Sequence, residues 1–407
     1  MSPLDWFKKE KPLQSMQSMG GGAVGGVMAG GVSEGGPYSI SGGTMTTPGN
    51  GYKYFDIKNT NPAPERQLAI TVDGAPGYIT FSFVAVGGGG AGGMGAPEFG
   101  SGGGGGGAFV QQMDYTDIIL DGPDTWAVSI GEGGLANGRT GPQGRPANPS
   151  PGGPYKGNDT TITIPSPKSP LTITAYGGAG GLKAPGNPGP TQPGNYGSGG
   201  GAPNGYPAPP STSLNGIVQV AGVPQTIDGS GNTPLTGIGY DGGQGQRTGQ
   251  YNSHIGGAGG SGGGGGGAGS VGKNATTPNS GPNGGGPPPT SGGGAVGPTN
   301  PKAKGGAGGD GRVIFNSDPG FPLTLAGGGG GGQGDGGPWY QGGPGGPGGG
   351  GGGGSAINPG GPTASHGTDH TGGGGGGAGG MFSVNPAYSG AGGPGRVIFR
   401  VPVSIIT

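Results

Sequence analysis

The chain has 407 residues, 122 of them glycine and 44 proline, with 28% hydrophobic residues, 9% charged residues and a formal net charge of −1. So few apolar side chains cannot fill a conventional core, and the glycine share is several times the usual ~7%. The weak charge excludes the footprint of a nucleic-acid or anionic-membrane binder, the absence of cysteine excludes disulfides and thiolate metal sites, and no apolar run approaches the ~18 residues of a membrane span.

Residues 1–19 open with a helix signal. Ser2 suits the cap, Pro3 the first turn, and Leu4 and Phe7 share a face beside Trp6, until Pro12 ends the pattern. A helix of two or three turns is not stable alone, so Leu4, Trp6 and Phe7 are candidates for docking onto a larger assembly. Residues 20–36 read as a linker or a first glycine-rich strand. Strand signals follow in GGTMTTPGNGYKYFDIK, around a Gly-Asn-Gly turn, and in RQLAITV. In YITFSFVAV, Ile79, Phe81 and Phe83 take one face and Thr80 and Ser82 the other. FVQQMDYTDIIL and DTWAVSI continue the series, the latter with Trp126, Val128 and Ile130 aligned. Residues 131–159 read as a loop, TTITIP and PLTITAY as short strands, and 182–255 as surface loops broken by GIVQVAGV.

Two phrases repeat almost perfectly: GAGGDGRVIF at 306–315 and GAGGPGRVIF at 390–399, each preceded by GGGGGGAG. The spacing implies an attachment segment at 1–36, a body at 37–316 and a second, shorter unit at 317–407. The terminal RVIFRVPVSII alternates Val397, Phe399, Val401, Val403 and Ile405, and Pro402 points to an edge position or a bulge.

Unbroken glycine runs punctuate the chain at 102–107, 262–267, 327–332, 348–354 and 372–377. A glycine run is either a flexible linker or an extended helix of the polyproline II kind, with three residues per turn and no internal hydrogen bonds. Without Cβ atoms such helices can approach closely enough to bond backbone to backbone. The runs are nearly pure glycine and strands feed directly into them, which favours packing. The fold class expected is therefore all-β or irregular: short strands leading into packed polyglycine II-type left-handed helices, a glycine sandwich, with one short N-terminal helix.

Chemistry-bearing motifs are sparse. Matches to GxGxxG are expected from composition alone, and Gly267 to Asn274 imitates a phosphate loop without its Ser/Thr or a following helix. GGAGGDGRV resembles one calcium nonapeptide, but its second copy carries Pro394 in place of Asp310. His366, Asp369 and His370 cluster in a glycine-flanked loop and are weak metal candidates. No nucleophile elbow or paired carboxylate stands out, so no enzyme, catalytic residue or cofactor is expected. Tyr196, Tyr206, Tyr240, Tyr251, Trp339 and Tyr340 sit among Gly, Pro, Asn and Gln. Rigid aromatics in such surroundings suit saccharide or protein recognition, or they cover glycine segments.

Strands that run into glycine tracts (SFVAVGGGGAGG, ITAYGGAGG, LTLAGGGGGGQGDGG), together with AVSIGEGGLANG and GAGGPGRVIF, resemble glycine-rich structural proteins of tailed bacteriophages. They are also similar to receptor-binding tip adhesins in which polyglycine helices form a layered sandwich. That resemblance implies a virion protein assembled in the host cytoplasm: a tail fibre, tail tip or baseplate adhesin. It would meet other virion proteins through its N-terminal segment and a host-surface saccharide or protein through its loops, with no nucleic acid and no membrane insertion. A purely structural capsid- or neck-associated fibre, or an extracellular adhesive or coat protein, are the alternatives. The first 36 residues do not match those adhesins.

Overall fold

The computed structural model describes residues 36–61, 66–94, 100–136, 156–165, 171–182, 196–202, 216–220, 223–226, 236–242, 246–247, 260–261, 264–275, 304–315, 318, 323–333, 342–355, 363–380 and 388–407. The N-terminal helix expected from residues 1–19 lies outside them. Among the described residues the helical element is a single 3-10 turn at Val403–Ile405, and none is long and apolar enough to cross a membrane.

The remaining regular structure is antiparallel β. In chain order the strands are β1 (Gly36–Ser41), β2 (Thr44–Thr46), β3 (Tyr52–Ile57), β4 (Gln67–Ala75), β5 (Gly77–Val86), β6 (Phe109–Leu120) and β7 (Asp124–Ser129). Then come β8 (Thr160–Ile164), β9 (Leu171–Ala175), β10 (Gly216–Val220), β11 (Val223–Thr226), β12 (Thr236–Ile238), β13 (Gln246–Arg247) and β14 (Gly260–Ser261). The last are β15 (Arg312–Ile314), β16 (Leu323–Leu325) and β17 (Arg396–Pro402). One sheet has the order β1-β4-β7-β8-β9-β10-β11 and a second the order β12-β6-β5-β17-β3-β2.

Period-two alternation explains the core between these sheets. Ile79, Phe81 and Phe83 of β5 and Val397, Phe399 and Val401 of β17 point inward with Trp126 of β7. Trp126 packs 4.6 Å from Phe81 and 5.7 Å from Phe399, centroid to centroid. The opposite face of the second sheet meets the β15–β16 hairpin through Tyr54, Val84, Phe109, Ile314, Phe315 and Leu325.

Pro402 does not put its strand at an edge. β17 is central, bonded to β5 on one side and β3 on the other. Proline is tolerated because it is the last residue, opposite Tyr52, where no further ladder donor is needed. The alternation then stops: Val403 is exposed and Ile405 is buried in the 3-10 turn.

Glycine segments continue the strands. Segment 87–94 extends β5, 131–136 extends β7, 176–182 extends β9, 239–242 extends β12 and 326–333 extends β16. Segments 100–108, 157–159, 304–311 and 388–395 lead back into β6, β8, β15 and β17. None has a helix or strand assignment, yet most of their residues are buried.

Backbone hydrogen bonds join them with a strict step of three. Gly90 and Gly93 donate to Gly105 and Gly102, Gly104 and Gly107 to Gly375 and Gly372, and Gly374 and Gly377 to Gly327 and Gly330, all at 2.8 to 2.9 Å. The first two pairs are antiparallel and the third parallel. Segment 100–108 alone bonds to six others: 87–94, 372–380, 176–182, 196–202, 264–270 and 326–333. Traced outward, these bonds arrange the segments in four layers. The first holds 157–159, 176–182, 196–202 and 239–242. The second holds 131–136, 87–94, 100–108, 264–270 and 271–275. The third holds 388–395, 372–380, 326–333 and 304–311, and the fourth 363–368, 348–355 and 342–347. The layers interleave segments from both sides of residue 316. The two near-identical repeats, 306–315 and 390–399, sit at opposite ends of the third layer.

Most interior positions leave no room for a side chain, and the few that carry one hold Ala or Ser, as at Ala91, Ser101 and Ala378. A Cβ on Gly104 would fall within 3.0 Å of the Gly90 and Ala91 carbonyl oxygens. All six glycines of 102–107 keep φ outside the +20° to +160° range.

Candidate functional site

The layers and sheets give the molecule two distinct ends. The described segments that leave the sheets all run in one direction. The residues flanking 95–99, 276–303, 334–341, 356–362 and 381–387 all lie at the far, outer end. At the opposite end Gly36 pairs with Ala75, and the Thr407 N–H donates to Tyr38 O at 3.0 Å.

The aromatic candidates divide accordingly. Trp339, Tyr340, Tyr206 and Tyr251 fall outside the described residues, the first two in the stretch between Gln333 and Gly342. Tyr196 is buried where its segment begins near the sheets, with Lys156 Nζ 5.8 Å from its ring centroid. Lys156 stands equally far from the Tyr176 ring and pairs with Asp159 at 3.1 Å. Tyr196 thus covers the first glycine layer. Tyr240 is 39% exposed, on the flank and near the sheets rather than at the outer end. Leu4, Trp6 and Phe7 lie outside the described residues, in the stretch that precedes Gly36.

His366, Asp369 and His370 occupy the inner turn between the fourth and third layers. The Ala391 N–H donates to His366 Nδ1 at 2.9 Å, so that nitrogen serves the backbone. His370 has φ +57°, and its Nδ1 and Asp369 Oδ1 are buried without hydrogen-bond partners. Among the described residues no group of three His, Cys, Asp or Glu side chains is placed to hold a metal ion. Burial is the main cause that lowers the His370 pKa from 6.5; Asp369 opposes it, and Lys58 and Arg396 add to it. A depressed histidine pKa means that the unfolded chain takes the proton first. The contribution is present above pH 6.5 and is lost as pH falls through the folded value. Urea midpoints should therefore drop on acidification below that point. His370→Asn, which tolerates positive φ, should remove that share of the drop.

The most heavily engineered side-chain cluster is structural. Arg400 of β17 is 3% exposed and donates to both Asp318 oxygens, at 3.2 and 2.9 Å, and to Ser82 Oγ at 3.0 Å. Its guanidinium lies 4.1 Å from the Tyr52 ring centroid. The Tyr54 hydroxyl donates to Asp318 at 2.6 Å and accepts from Asn50 at 2.7 Å. Burial, then the Asp318 hydrogen bond, pushes the Tyr54 pKa up to about 12. Its contribution is full below pH 10 and lost as pH rises to about 12. Alkaline unfolding should steepen across that window, and Tyr54→Phe should abolish the steepening. Sequence reasoning missed this cluster because its members are far apart in the chain.

A comparison with curated proteins finds no match. Residues 65–318, more than half of the chain, match the family described as the glycine-rich domain. The chain therefore belongs to the glycine-rich domain family.

Proposed function

We propose that this chain is a non-enzymatic bacteriophage virion protein, a tail-fibre, tail-tip or baseplate adhesin that meets a host-surface saccharide or protein through loops on a glycine scaffold. The observation that carries the reading is the separation of the two ends. The described residues on either side of 95–99, 334–341, 356–362 and 381–387 lie at the outer end of the glycine layers, while Gly36, which the stretch bearing Leu4, Trp6 and Phe7 precedes in sequence, lies at the sheet end. One end suits recognition and the other suits attachment to the particle.

The scaffold itself we infer to be a bundle of polyglycine II-type left-handed helices. A helix of three residues per turn returns every third N–H to the same side, which accounts for the three-residue step between partners. It also accounts for neighbours that run parallel and antiparallel with equal ease. Surface loops on a backbone-bonded scaffold tolerate sequence variation better than the elements they connect. Trp339 and Tyr340 are the contact residues this reading favours.

The test replaces 334–341 and 356–362 with Gly-Ser stretches of equal length and measures adsorption to host cells beside a thermal melt. Lost adsorption with an unchanged melt supports the proposal. Unchanged adsorption overturns receptor recognition by these loops. Labelling the chain in electron micrographs then distinguishes a capsid or neck fibre from a cell-surface coat.

A further inference from the structure

The outermost glycine layers differ. The middle of the first is closed, with Tyr176, Ala179, Tyr196 and Ser198 all buried, and only its end segments expose residues such as Asn158 and Tyr240. The fourth is open. Pro344, Pro347, Thr363, Ser365 and Thr368 are exposed, and Gly342, Gly345, Gly349, Gly352 and Gly353 are partly so. At Gly352 an added Cβ would meet nothing nearer than the Ser365 hydroxyl at 3.4 Å, whereas at most interior glycines it would strike backbone. Gly345 keeps both its N–H and its C=O without a partner among the described residues, and Gly342, three residues earlier, keeps its C=O. The hydrogen-bond step of the interior is therefore repeated at this surface with no receiving group among the described residues. An open edge of paired backbone is a template for another chain, as at a β-sheet edge.

We infer that this face takes one more glycine-rich segment, residues 20–31 of a neighbouring copy of this chain. The face spans three segments, about 5 Å apart and up to about 25 Å long. Its area of roughly 400 Å² is about half of what each partner buries in a standard interface, so a whole second body would be held poorly. A single extended segment fits it. Residues 20–31 read GGGAVGGVMAGG. At a step of three, one side carries only Gly20, Ala23, Gly26 and Ala29, small enough for close backbone approach. Another side carries Val24 and Val27, leaving apolar groups to face outward. Charge agrees: the chain has no charged residue between Lys11 and Glu34, nor from 336 to 368.

Chain length selects a neighbouring copy. Gly36 lies level with the start of β5, and the fourth layer begins near Val86, against which the Gly372 turn packs. That is nine strand residues away, about 30 Å. From Gly31 to Gly36 the chain has five residue steps, at most about 18 Å, so residues 20–31 of the same chain cannot lie along the face. Exchange between copies satisfies both geometry and pattern. This goes beyond the adhesin reading and does not need it.

Sedimentation velocity of the full chain across a wide concentration range tests the proposal. Concentration-dependent association is expected. Gly352→Lys, at the one face position with room for a side chain, should weaken it by about tenfold or more, and so should Gly26→Lys in the incoming segment. Gly122→Lys, which also has open space but lies between β6 and β7, should not. A synthetic peptide of residues 20–33 should compete. The melt of each variant separates lost docking from lost folding. A chain that stays monomeric throughout, or one whose association survives both Gly352→Lys and Gly26→Lys, overturns the inference. Host adsorption is not part of the readout, so failure here leaves the adhesin proposal standing and failure there leaves this one.

Discussion

Gly104→Ala should unfold or severely weaken the protein, with a loss of about 3 kcal/mol or more. Elsewhere glycine-to-alanine substitution often stabilises, by about 0.4–1 kcal/mol, because it restricts the unfolded chain. Here the added methyl would strike the carbonyls of Gly90 and Ala91, and those groups cannot turn away. Both carbonyls are themselves acceptors: Gly90 O receives the Gly375 N–H and Ala91 O the Gly181 N–H. Moving 87–94 to make room would therefore strain bonds to two further segments. Gly122→Ala is the control. Its Cβ would meet nothing within 4 Å, so its midpoint should hold or rise slightly. Chemical denaturation of the two variants side by side checks both the size and the opposite signs.

The second large effect is expected from Asp318→Ala. Arg400 would then be left nearly buried with its charge uncompensated, since Ser82 and the Tyr52 ring cannot neutralise it. Removing one partner of a buried pair costs about 3–5 kcal/mol. The Tyr54 hydroxyl would lose its acceptor at the same time. The double variant Asp318→Ala with Arg400→Met should recover much of the loss, because an apolar side chain needs no partner there. Equilibrium unfolding of the single and double variants gives the coupling directly. A double variant as unstable as the single one would mean that the pair is not what fixes the turn between β15 and β16.

Strands with strict alternation were legible from the sequence alone. β5, β7 and β17 each place apolar residues two apart, and each buries that face against the others. Glycine runs 102–107, 327–332 and 372–377 were legible as compact, buried elements because they are nearly pure, whereas 348–354 lies at the open face. Harder to see were 131–136, 157–159, 196–202 and 239–242, which read as loops but lie within the layers. They carry Glu132, Asn158, Tyr196 and Tyr240, and composition alone therefore disguises them. The usable signal is positional: at a step of three, side chains such as the exposed Asn158 and Tyr240 can face outward while their neighbours stay small. Proline at 402 misled for a related reason, since its effect depends on whether it falls inside a ladder or at its last rung.

The candidate site was less legible. Tyr196 sits among glycines as Trp339 and Tyr340 do, and only the path of the backbone shows that Tyr196 is a buried cover residue. The Asp318–Arg400 pair joins residues 82 apart in sequence, with no pattern in either neighbourhood to announce it. Side-chain chemistry at long range is set by topology, and topology here depends on backbone bonds that leave no compositional trace.

Amide hydrogen exchange across Gly102–Gly107 and Gly372–Gly377 addresses the central claim, that a hydrogen-bonded backbone lattice forms the interior of the described glycine layers. These amides should exchange as slowly as those of β5 and β17, and only through global unfolding. Exchange at the rate of an unstructured glycine chain, while the strand amides stay protected, would contradict it.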